Sequence, residues 1–147
     1  MSGVLLDEAR VDTNSVRQLV LYGNPGASYQ IGVSTNLGGT NWLPVWRVPM
    51  TNLSQSFGPS GTLPQAYYRA WRFFADPPLL DLSLPARTNV SFLLYGRNGT
   101  NYTVESATNL IPGTAWSPVT NVSMSNSFYF INAGVPTNKA TFFRARR

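Results

Sequence analysis

The 147-residue sequence contains neither cysteine nor histidine. Their absence excludes disulfides, thiol nucleophiles, imidazole bases and every Cys/His metal site. Lysine is nearly missing too, with Lys139 alone beside ten arginines. Charged residues make up 12%, about half the share usual in soluble domains. The helix formers Glu, Lys and Gln are scarce, which argues against helices. No apolar run reaches the length of a membrane span. Residues 1–10 lack the charged and apolar regions of a signal peptide.

What is present points to strands and turns. There are 8 Phe, 7 Tyr, 4 Trp, 12 Gly and 11 Pro, in a chain rich in Ser, Thr and Asn. Aromatic and β-branched residues favour pleated surfaces, and Gly, Pro and Asn favour turns. The net charge of +5 comes from arginines dispersed from Arg10 to Arg147, and only Arg144, Arg146 and Arg147 cluster. A nucleic-acid footprint needs a denser basic face than this, so no nucleic-acid partner is expected.

The sequence repeats itself. Residues 21–37 align without gaps on residues 94–110 at an offset of 73, with 8 identities in 17 positions. Leu21, Tyr22, Gly23, Gly26, Tyr29, Thr35, Asn36 and Leu37 recur as Leu94, Tyr95, Gly96, Gly99, Tyr102, Thr108, Asn109 and Leu110. Trp42, Pro44 and Val45 match Trp116, Pro118 and Val119 at offset 74, and Tyr68-Arg69-Ala70 match Phe143-Arg144-Ala145 at offset 75. At the other end Leu5-Leu6-Asp7 lie over Leu79-Leu80-Asp81. The drift in offset marks small loop insertions. The expected modules are 1–75 and 76–147, joined at Pro77-Pro78.

Each copy predicts six strands. In the first copy they cover 4–11, 15–22, 28–34, the segment around Trp42, the segment around Phe57, and 66–74. The second copy opens with a strand over 79–84. Asn24-Pro25-Gly26 and Arg97-Asn98-Gly99 are hairpin-type turns between apolar runs. Alternation places Tyr29, Ile31 and Val33 on one face and Ser28, Gln30 and Gly32 on the other. Short strands at this spacing predict an all-β chain of two tandem, small β-sandwich modules of immunoglobulin or fibronectin III type. Tyr29 with Tyr102, Leu37 with Leu110, and Trp42 with Trp116 are the expected matching core residues.

The pattern Gly-x-x-Gly-x-x-Tyr-x-Ile/Val, then Thr-Asn-Leu, then Trp, then aromatic-Arg-Ala, resembles modules near the C-termini of large exported proteins of Planctomycetes- and Verrucomicrobia-type bacteria. Gly23, Gly26, Tyr29, Ile31, Ser34, Thr35, Asn36, Leu37, Trp42, Tyr67, Tyr68 and Arg69 carry the likeness in copy one. Gly96, Gly99, Tyr102, Val104, Glu105, Thr108, Asn109, Leu110, Trp116, Phe142, Phe143 and Arg144 carry it in copy two. Copy two has Ala107 for Ser34, and copy one has Gly32 for Glu105. The resemblance implies spacers, surface-layer parts or adhesive units at the cell surface or outside the cell, and hence a mature or trimmed chain.

Candidate chemistry is thin. The acids are Asp7, Glu8, Asp12, Asp76, Asp81 and Glu105. Asp7 and Asp81 are repeat equivalents, better suited to a turn or strand end than to acid–base work. No Asp-rich loop offers calcium ligands, so no metal, cofactor or catalytic residue is expected. The Gly-x-x-Gly pairs lack the Lys-Ser/Thr of a phosphate loop. Asn36 and Asn109 suit turns closed by their own side chains. Arg69 and Arg144 suit stacking on an aromatic ring or bonding to backbone carbonyls. Trp46 and Trp71 have no Trp counterpart in copy two, which makes them the candidates for ligand or inter-module contact. The sequons at Asn52, Asn89, Asn98, Asn101 and Asn121 carry no claim of glycosylation in so Asn-rich a chain.

The expected function is a non-enzymatic structural or interaction protein. Its expected partners are copies of itself, in a filament, or other surface proteins. The candidate assembly strand is the N-terminal arm, with Val4, Leu5 and Leu6 as apolar grip and Asp7 and Arg10 setting register. The alternative is a carbohydrate-binding or adhesive module, which exposed, coplanar Trp46 and Trp71 would favour.

Overall fold

The computed structural model describes residues 4–10, 17–58, 66–86, 89–135 and 141–147. Twelve strands follow in order: β1 (Leu5–Arg10), β2 (Arg17–Tyr22), β3 (Ser28–Ser34), β4 (Leu43–Pro49), β5 (Ser54–Phe57), β6 (Tyr67–Phe73), β7 (Leu79–Ala86), β8 (Asn89–Tyr95), β9 (Asn101–Ala107), β10 (Ser117–Ser123), β11 (Phe128–Gly134) and β12 (Phe142–Arg146). Among the described residues there is no helix. Val11, Asp12 and Ser15 fall outside the described residues. The chain divides into two compact units, Met1–Phe73 and Phe74–Arg147.

The strands form four antiparallel sheets of three: β1-β2-β5 and β4-β3-β6 in the first unit, β7-β8-β11 and β10-β9-β12 in the second. Each strand of one unit therefore has a counterpart with the same neighbours in the other. In both units the second strand leaves one sheet and the third enters the other, so Gly-x-x-Gly lies at a corner between sheets.

The core lies between the two sheets of each unit. In the first, Leu21 of β2 packs with Tyr29 and Ile31 of β3, Val48 of β4, and Ala27 and Met50 beside them. In the second, Phe92 and Leu94 of β8 pack with Tyr102 and Val104 of β9, Val122, Met124 and Ile131. These are the alternate residues of each strand, as a two-residue period requires.

The repeated glycines and tyrosine close the corner together. A Cβ on Gly23 would lie 2.6 Å from Cε2 of Tyr29, and one on Gly96 would lie 2.6 Å from Cε2 of Tyr102. The tyrosine ring thus sits against bare backbone. Its hydroxyl accepts the amide of Asn24 at 3.1 Å in one unit and of Arg97 at 3.1 Å in the other. Gly26 and Gly99 take φ values of 82° and 76°, a region that L side chains seldom enter. Their amides donate to Met50 and Met124 carbonyls, tying the corner to the chain after β4 or β10.

Two core expectations fail. Leu37 and Leu110 are 66% and 62% exposed. The Asn36 side-chain oxygen accepts the Gly38 amide at 3.0 Å, and Ser34 brackets the same turn by bonding to the Asn36 amide and carbonyl. That turn holds Leu37 at its tip, away from the core. In the second unit the Thr114 hydroxyl bonds to the Asn109 side chain and to the Ile111 carbonyl. The Asn reading thus holds at Asn36, Asn109 meets the Thr114 hydroxyl instead of a backbone amide, and the Leu reading fails in both units. Trp42 and Trp116 precede β4 and β10 and are half-buried, but neither joins a core cluster. Each carries an arginine instead.

Candidate functional site

The register of β4-β3-β6 decides which side chains share its outer face. Gln30 lies opposite Arg47 on β4 and Trp71 on β6, and Gly32 opposite Arg69. Ile31 lies opposite Trp46 and Ala70, and both of these pack against the core. Trp46 therefore points inward, with its ring 5.4 Å from Phe57 and 6.1 Å from Tyr68. Trp71 points outward. The two candidate tryptophans stand on opposite faces of one sheet, so they form no coplanar pair.

The outer face is built around Arg69. Its guanidinium carbon lies 4.8 Å from the Trp42 ring centre and 5.2 Å from that of Trp71, within cation–π range of both. Gly32 makes room, because a Cβ there would lie 2.7 Å from Cη2 of Trp71. Further along the face Arg47 lies over Phe73 at 5.4 Å. Beneath this layer Ser28 and Gln30 are buried. The Gln30 amide donates to the Trp46 carbonyl at 2.7 Å and the Ile31 carbonyl at 3.0 Å, as buried polar groups require.

The matching face of β10-β9-β12 keeps the arginine and the first tryptophan and replaces the rest. Arg144 lies 4.2 Å over Trp116. Glu105 occupies the place of Gly32, and Arg146 that of Trp71. The Glu105 carboxylate is buried and accepts Arg144 and Arg146, each at 2.8 Å. Burial pushes this carboxyl up. The hydrogen bonds from Arg144 and Arg146, joined by their charges, outweigh it and hold the group below its ordinary range. Gly32 with Trp71 and Glu105 with Arg146 are thus alternative ways to fill one space beside a constant Arg–Trp stack.

A second difference lies on the other sheets. Ser54 and Ser56 lie opposite Tyr22 and Val20 on β2, where the second unit places Phe128 and Phe130 opposite Tyr95 and Leu93. The Phe128 and Phe130 rings meet edge to face at 5.7 Å, and Phe130 is exposed. A cleft of about 310 Å³ lies here, lined by Ser91, Phe92, Leu93, Phe130, Ile131 and Asn132.

The candidate assembly strand pairs with its own unit. Leu5–Arg10 run antiparallel to Arg17–Tyr22, with Asp7 opposite Val20 and Arg10 opposite Arg17. Val4 and Leu6 pack against the core, and Leu5 faces out. In this fold, donating the strand to a neighbour would first require breaking that ladder.

The sequence predicts an aromatic stack for Arg69 and Arg144, which Trp42 and Trp116 supply, but it misses these partners and the pairing of Glu105 with β12. The available signal was the retention of both Arg and Trp in the two copies. Among the described residues no three acidic side chains gather as a metal site, and no helix is long and apolar enough to cross a membrane. No family model, curated protein or solved structure matches this chain.

Proposed function

We propose that the chain is a non-enzymatic structural and interaction protein of the cell surface or extracellular space, a repeated β-sandwich frame that meets its partners through its outer faces. One observation carries this reading. Residues kept in both copies build the corners of the frame: Gly23, Gly26 and Tyr29 with Gly96, Gly99 and Tyr102. On the outer faces a kept Arg–Trp stack is surrounded by residues that differ, Gly32 and Trp71 against Glu105 and Arg146, and on the other sheets exposed Ser56 stands where the second unit has exposed Phe130. A frame held constant while its surfaces diverge suits recognition better than chemistry, and the resemblance to exported repeat modules agrees.

The partners are further copies of the chain, other surface proteins or polysaccharide. Sedimentation velocity over a concentration series, with electron microscopy, tests the assembling form. Retention on insoluble polysaccharide tests the adhesive form. Association that grows with concentration, or retention, is the expected result. A chain that stays monomeric throughout and is retained on nothing overturns the reading.

A further inference from the structure

The two units treat one arginine differently. Arg144 stacks on Trp116 and gives its N–H groups to a carboxylate, Glu105. Arg69 stacks on Trp42 in the same way and lies against Trp71 besides. Where the carboxylate would stand there is Gly32, and among the described residues no acidic side chain pairs with Arg69. Yet Arg69 is exposed, with its planar fork held by the two indoles. An arginine fork matches a carboxylate in geometry, and a fork already held in place loses less freedom on binding.

We propose that Arg69, with Trp42 and Trp71, forms a binding site for a carboxylate-bearing sugar, a uronic acid residue within an acidic polysaccharide. Copy two displays the ligand chemistry internally, since the group that fills this place beside Arg144 is a carboxylate. The flanking indoles are half-buried beside the fork, and their remaining apolar surface can meet the C–H groups of a pyranose ring, which a run of glutamate side chains does not carry. Arg47 on the same face and the net charge of +5 favour the approach of a polyanion. Arg144 is already occupied by Glu105, so the site belongs to the first unit. This inference rests on the adhesive form of the reading above.

The test uses the full chain and three polymers: polygalacturonate, a neutral glucan and polyglutamate. Affinity electrophoresis or calorimetry is expected to show binding to polygalacturonate that salt weakens, with the other two bound more weakly. Arg69→Gln should lower the affinity by about tenfold or more, the size of a lost charged hydrogen bond. The double variant Gly32→Glu/Trp71→Arg transplants the copy-two residues. It should fold with an unchanged strand spectrum and lose binding, because its own carboxylate then occupies Arg69. Wild-type affinity in Arg69→Gln, equal binding of polyglutamate, or no uronate binding by the wild-type chain overturns the inference. None of these outcomes alters sedimentation, so a chain that assembles without Arg69-dependent uronate binding defeats this inference alone.

Discussion

The same space beside β6 and β12 is filled in two ways. In the first unit the indole of Trp71 lies against the bare backbone of Gly32. In the second, Glu105 takes two arginines at 2.8 Å. Neither filling works with half of the other. A Glu at 32 would meet Trp71, and Trp at 146 would leave a buried carboxylate with one cation fewer. The positions therefore change together or not at all, although they lie on different strands. The difference teaches that a repeat is conserved by its packing relations, not position by position.

That comparison can be broken first at the cores, where the units should behave alike. Leu21 and Leu94 are fully buried equivalents. Leu21→Ala and Leu94→Ala should each cost about 2–5 kcal/mol by chemical denaturation. A large cost in one unit and little in the other would show that the cores are not equivalent. Next come the corners. Gly23→Ala and Gly96→Ala place a methyl against the tyrosine ring and should each cost about 1–3 kcal/mol. Tyr29→Phe and Tyr102→Phe remove only the acceptor for a turn amide, worth about 1 kcal/mol each.

A smaller effect separates the units by pH. The Glu105 carboxyl is held below its ordinary range, so its contribution is present above that range and is lost as pH falls through the folded value. Thermal melts across acidic pH should show the second unit losing stability there, and Glu105→Gln should flatten that dependence. An unchanged acid limb in Glu105→Gln would mean that the ion cluster does not couple to folding. Smallest of all, Leu37→Ala and Leu110→Ala should stay within about 0.5 kcal/mol of wild type, as exposed positions do.

The sequence was most informative where chemistry is local. Gly23, Gly26 and Tyr29 fall within one turn and the strand after it, and positive φ at glycine is a local requirement. Alternation placed Tyr29 and Ile31 correctly because a strand has a fixed period. It said nothing firm about Leu37, which follows the strand, where apolar identity does not say which way a residue faces. Trp42 departs from its expected core position for the same reason, since an arginine can cover an indole as well as a core can. Trp46 and Trp71 share the lack of a Trp counterpart in the second copy, but only the register of β3 with β4 and β6 shows that they face apart. For Glu105 the repeat shows only that Gly32 stands in its place in the other copy. Its partners lie 39 and 41 residues away, beyond any local pattern.

The corner has one more consequence, which concerns heredity. Tyr29 is seated on Gly23 and caps Asn24, Gly26 bonds to Met50, and Gly23 bonds to Leu53. Tyr102, Gly96, Arg97, Gly99, Met124 and Ser127 repeat this list. Each of these bonds closes inside its own copy. A gene segment encoding such a corner carries these bonds with it when it is duplicated. Portability of this kind is what a lineage of tandem modules needs, and here it rests on a tyrosine ring and two glycines.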